Sequence, residues 1–141
     1  MNETYEVRVN YLLDSHACLA LIRDNPYQVR TRFHRALHSG STVSTSSLAI
    51  FDVWKRVAEN PRAQKQIMEI FLAGPIDVIP FDEQDTLAAA GLRREMKELD
   101  AKLEDLELLV ASQAQARKLA LVTAHSKLPA FKGLVWRDWG R

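Results

Sequence analysis

The sequence predicts an α/β fold with a mainly parallel central sheet covered on both faces. Short strand-like runs alternate with longer segments whose apolar residues recur at helical spacing. Prolines, glycines and capping residues fall where one pattern gives way to the other. The run "YLLDSHACLAL" starts as a strand, stops at Asp14 and resumes as a helix, which is how such folds begin.

Taken in order, Arg8 to Leu13 reads as a short buried strand, and Ala17, Leu19, Ala20 and Leu21 as the apolar side of a helix broken at Pro26. A second helix starts after Asn25 with Pro26 at its first position, buries Val29, Phe33 and Leu37, and stops at Gly40. Thr42 to Thr45 is a strand, and the serines after it cap a helix from Ser47 to Glu59 that Pro61 ends. Another helix reaches Gly74, and Ile76 to Phe81 is strand-like. Asp82 caps a long helix through Leu99, and a further helix runs from Leu103 to Arg117. Leu119 to Thr123 and Leu134 to Trp136 supply the last two strands.

A chain of 141 residues fits one domain, 1–141, because single cores commonly occupy about 100 to 150 residues. With 47% hydrophobic and 26% charged residues it has the composition of a globular protein able to bury a sizeable core. A net charge of +1 gives no global pull toward polyanions, so nucleic-acid contact would rest on a local patch. The basic side of the second helix, with Arg32, Arg35 and His38, is the candidate. The lone Cys18 excludes an internal disulfide and thiolate metal sites. The acidic amino terminus is no secretory signal and no apolar run reaches the roughly 20 residues of a membrane span, so a cytoplasmic protein is expected.

Three acids interrupt the apolar patterning. Asp14 ends the first strand, Asp52 lies mid-helix between Phe51 and Val53, and Glu107 sits within the stripe of Leu103, Leu106, Val110, Ala111 and Ala114. Each has an ordinary explanation: a helix cap for Asp14, an i, i+4 ion pair with Arg56 for Asp52, and an edge position reaching solvent for Glu107. The alternative is that acids on three elements converge on a cation at the carboxyl ends of the strands, where α/β sheets bind ligands.

The motifs around these acids carry a resemblance that bears on the second explanation. Leu13-Asp14-Ser15-His16 follows a strand; "SSLAIFDVWKRV" (46–57) is similar to Ser-x-Ile-Thr-x-x-Glu-Val-x-x-Gly-Val; "ELLVASQA" (107–114) is similar to Asp-x-Leu-Ile-Ala-x-x-Ala. Leu121, Val122 and Thr123 precede His125 where an acid or asparagine is usual, and "FKGLVWRDW" closes the chain. In this order and spacing the chain resembles PIN-domain ribonucleases of the VapC type, toxins of bacterial type II toxin–antitoxin pairs.

The resemblance implies a three-layer α/β/α sandwich and a metal-dependent endoribonuclease. Asp14, Asp52 and Glu107 then serve as catalytic metal ligands for Mg2+ or Mn2+, hard cations that prefer oxygen. His125 replaces the fourth acid and is a candidate catalytic group, as a nitrogen ligand, an acid near the scissile phosphate or a donor to RNA, against the ordinary reading of a solvated loop histidine. Glu104 is a candidate to supply the missing charge. Ser15, Ser46 and Thr123 would contact the RNA. A small antitoxin and a homodimer are the implied partners, with the first helix or "QKQIMEIFLAG" at the dimer interface. The acid swaps at 52 and 107, with His125, also allow a different outcome: a PIN-like module that binds RNA or protein without hydrolysis.

Overall fold

The computed structural model describes residues 8–124 and 128–141. Its centre is a five-stranded sheet in the order β3-β2-β1-β4-β5, with every neighbouring pair parallel. The strands are β1 (Tyr11–Leu13), β2 (Val43–Ser46), β3 (Asp77–Ile79), β4 (Ala120–Thr123) and β5 (Trp136–Asp138). Six helices intervene: α1 (Ser15–Arg23), α2 (Tyr27–His38), α3 (Ser47–Arg56), α4 (Pro61–Leu72), α5 (Glu83–Glu98) and α6 (Asp105–Ala116).

Alternation along the strands divides the core in two. Leu13, Val43 and Val122 point to the side holding Cys18, Val29, Phe33 and Met68 from α1, α2 and α4. Leu12 and Leu121 point to the other side, against Leu92, Leu108 and Ala111 from α5 and α6. Helix α3 contributes to both, with Val53 in the first cluster and Ala49 in the second. The expected α/β/α layering results, and α3 is the element that brings the two helical layers together.

Every expected element is present, with shifted ends. β1 is three residues long, because Arg8 and Val9 make no ladder and Asn10 instead accepts from the Thr42 amide through its side chain. β3 is likewise cut to Asp77–Ile79, while β5 starts at Trp136 and runs on to Asp138. Pro26 is the residue before α2 rather than its first helical position, and Ala36 takes the buried place expected of Leu37, which is half-buried. The apolar side of α1 is largely spent on the core, with Ala17 through Leu21 all buried and Ile22 half-buried beside Ile67 and Ile70 of α4. Ile70 and Leu72 of α4 remain exposed.

The β2 strand, Val-Ser-Thr-Ser, is wholly buried although three of its four residues are polar. Thr45 accounts for itself by donating to the Leu13 carbonyl at 2.8 Å, while the Cys18 thiol donates to Thr45 Oγ1 at 3.4 Å. This chain of bonds fixes the end of β1, the point from which the first acid projects. Among the described residues, no helix is long and apolar enough to cross a membrane.

Candidate active site

Asp14 leaves the carboxyl end of β1 in extended conformation and caps α1, its Oδ1 accepting from the Ala17 amide at 2.8 Å. Its own amide donates to Val122 O at 2.9 Å, which ties it to β4. One turn into α3, Asp52 is 5% exposed and accepts from Arg56 Nε at 3.0 Å. Both ordinary roles foreseen for these acids are thus real: Asp14 is a cap and Asp52 is half of an i, i+4 pair.

They are also neighbours across one cleft of about 190 Å³, walled by Asp14, Ser15, Asp52, Arg56, Glu104 and Glu107, with His16 at its margin and Val110 and Leu121 among its apolar surfaces. Glu104 precedes α6 and Glu107 lies in its first turn, where the helix amino terminus favours negative charge. Neither glutamate side chain makes a hydrogen bond or ion pair among the described residues. Four carboxylates from three regions of the chain therefore face a single fixed cation, Arg56, and the partly exposed His16.

The electrostatics follow from that imbalance. Burial acts to raise the Asp52 pKa, but hydrogen bonds from Ser15 and Arg56 and the charge of Arg56 outweigh it, and the carboxyl titrates below its ordinary value. Arg56 is held protonated above its usual value by its bond to Asp52, with Glu104 and Glu107 adding attraction. His16 Nδ1 lies 3.6 Å from Asp14 Oδ2. That bond raises the imidazole pKa against the opposing effect of burial, and the charges of Asp14 and Glu107 act in the same direction.

Four carboxylates and the Ser15 hydroxyl make a donor set suited to a hard divalent cation. As the side chains stand, no three His, Cys, Asp or Glu among the described residues are grouped to hold a metal ion. Asp14, Asp52 and Glu107 share the cleft, with Asp52 turned onto Arg56 and one Asp14 oxygen accepting from the Ala17 amide.

The remaining candidates divide. Ser15 lines the cleft and is bonded to Asp52. Ser46 is fully buried as the cap of α3, accepting from the Leu48 amide, and does not line the cleft. Thr123 is also fully buried off the cleft wall, its hydroxyl without a partner among the described residues. Both side chains are therefore buried beside the cleft and do not form its wall. His125 lies outside the described residues. The sequence puts His16 in the motif of the first acid and Arg56 one turn from Asp52, but it does not show that Arg56 also walls the cleft.

Comparison with known proteins agrees with this architecture. The family model described as PIN domain matches residues 11–134. The chain belongs to the PIN domain family. It is 24% identical over 133 residues to the tRNA(fMet)-specific endonuclease VapC of Shigella flexneri, covering 93% of this chain and 98% of that protein. Ribonuclease VapC2 of Rickettsia felis is 24% identical over 134 residues, with the same coverage of both chains. Among solved structures, VapBC2 from Rickettsia felis bound to a promoter DNA fragment has a chain that superposes with a TM-score of 0.82 at 23% identity, covering 93% of this PIN domain and 99% of its own length. A chain of DNA-bound VapBC from Salmonella typhimurium gives 0.76 at 21% identity, covering 93% and 98%. These likenesses extend along nearly the whole PIN fold, including the elements that carry the acids.

Proposed function

We propose that this PIN-domain protein is a metal-dependent endoribonuclease, the toxin of a toxin–antitoxin pair acting in the cytoplasm. One observation carries the reading: Asp14, Asp52, Glu104 and Glu107 wall a single cleft at the carboxyl ends of the parallel strands. Asp14 and Glu107 would hold Mg2+ or Mn2+, with Asp52 joining once its carboxylate leaves Arg56 and Glu104 adding charge at the rim. When bound, such an ion supplies Lewis acidity toward a phosphodiester and lowers the pKa of water.

The chain's own groups do the rest. Ser15 orients the Asp52 carboxylate by hydrogen bonding, and His16, its proton held by Asp14, is placed to give a hydrogen bond to a phosphate oxygen. Arg56, released from Asp52, offers a planar guanidinium to the same phosphate. The relatives named VapC support RNA as substrate, and the VapBC assemblies support a small antitoxin as partner. Exposed Ile70 and Leu72 on α4 support a homodimer through the "QKQIMEIFLAG" segment.

The test is incubation of single-stranded RNA with protein and manganese, with and without EDTA. Cleavage that needs the metal and falls at least a hundredfold in Glu107→Gln supports the enzyme. The competing reading, a PIN module without hydrolysis, is favoured by the Asp52 to Arg56 ion pair within the cleft. RNA bound but left intact with manganese would establish that reading and end the first.

A further inference from the structure

A second concave feature lies on the α2 side of the sheet, away from the acids. It is a hollow of about 280 Å³ lined by Arg32, Arg35, Arg137, Ser39, Ser41 and Tyr11, with Trp139 behind Tyr11, and no carboxylate is among its lining residues. Tyr11 opens β1 and Asp14 follows its end, so the length of β1, about 10 Å of strand, separates the hollow from the acidic cleft.

Its arginines are held in different ways. Arg32 donates to the Asp138 carbonyl and to the main-chain oxygen of Arg141, the last residue of the sequence, which fixes its plane. Arg137 gives one N–H to the Trp136 carbonyl at 3.0 Å and keeps the others. Arg35 makes no side-chain hydrogen bond or ion pair among the described residues, nor does the Ser41 hydroxyl. Between Ser39 and Ser41, Gly40 has a φ of +83°, and its missing Cβ leaves room for the Arg8 guanidinium within 3.1 Å of where that Cβ would be. The nearby Asp138 carboxylate is engaged by Arg141 and the Gly140 amide.

Gathering guanidinium groups around a concavity without a lining carboxylate opposes folding through like-charge repulsion, and a bound anion relieves it. Guanidinium forks match the oxygens of phosphate, and an unpartnered hydroxyl adds a neutral donor. We propose that this hollow is a second phosphate-binding site that grips the RNA backbone at a nucleotide remote from the one being cut. The inference rests on RNA being the substrate of the acidic cleft. RNA is favoured over an acidic peptide because the carboxylate cleft repels phosphate, so a substrate bound there needs cationic anchorage elsewhere on the same molecule.

The experiment is fluorescence anisotropy of a labelled single-stranded oligoribonucleotide with the full chain in EDTA, which prevents cleavage, over a range of salt concentrations. The double variant Arg35→Glu, Arg137→Glu is expected to bind RNA at least tenfold more weakly. Its slope of log affinity against log salt should fall by about 0.7 for each phosphate that the protein no longer neutralises. Manganese affinity by calorimetry should match wild type, which shows that the fold and acidic cleft are intact. Wild type that binds RNA with the double variant unchanged in affinity and slope would overturn the site while leaving the ribonuclease reading standing. Wild type that binds no RNA would remove that reading and the hollow's role with it. A variant that keeps RNA but loses oligoglutamate would assign the hollow to an acidic peptide and overturn the proposal.

Discussion

Asp14 has two duties that one substitution separates. Asparagine caps helices about as well as aspartate, so Asp14→Asn should leave unfolding free energy within about 1 kcal/mol of wild type by urea denaturation. If the carboxylate is a metal ligand, the same variant should lose at least tenfold in manganese affinity by calorimetry; unchanged affinity would leave Asp14 as a cap alone. Arg56 is the complementary case, since it occupies the carboxylate that the proposed ion requires. Arg56→Ala should raise manganese affinity several-fold, and a decrease would mean that the guanidinium organises the acids instead of competing for one. His16 reports on the same field. Its folded pKa is raised above the ordinary histidine value, so the stability it contributes is fully present below about 6.5 and is lost as pH rises through the folded pKa. Proton NMR in EDTA should show this upward shift, and Asp14→Asn should remove most of it.

The elements were largely legible in the sequence because apolar period and breakers are local signals. Asp82 and the serines at 46 and 47 mark helix starts that the fold keeps, and Pro61 follows the end of α3 as expected. Strand ends were less legible, since a strand ends where its neighbour stops pairing, and Arg8 and Val9 have no neighbour to pair with. Polar groups that act over distance were illegible for the same reason. Asp85, fully buried in the first turn of α5, takes two hydrogen bonds from Arg117, 32 residues on, and one from the Asp82 amide. The local pattern accounts for Asp85 only as the capping-box partner of Asp82 and gives no sign of Arg117. This ion pair joins the start of α5 to the end of α6, and so steadies the helix that carries Glu107. Arg117→Ala leaves Asp85 buried with one remaining donor and should cost about 3 kcal/mol in urea denaturation, while Arg117→Ala with Asp85→Asn should recover part of that cost. A cost below about 0.5 kcal/mol would show that water replaces the guanidinium.

At the scale of the whole molecule, the cleft draws its walls from parts of the fold with unlike backing. The acids of the cleft were recognisable because they interrupt apolar patterns, whereas Arg56 was legible only as the helical partner of Asp52 and not as a wall of the cleft. Arg56 even falls at the position where the PIN-type motif around Asp52 has glycine. Burial extends to Cys18, whose thiol desolvation pushes up to about 12, so thiol reagents should modify it only at the rate of unfolding. Faster labelling would show that α1 lifts away from the sheet. Asp14 stands on β1, the middle strand, bonded on both sides and locked by Thr45, whereas Glu104 and Glu107 stand at the open end of a helix. Amide hydrogen exchange should divide the cleft accordingly, with Leu12, Leu13 and Asp14 exchanging only in global opening and the first turn of α6 through local fraying. One wall of the cleft is then a fixed anvil and the other a jaw, and the gap between the acids adjusts to whatever is clasped there without the sheet having to move.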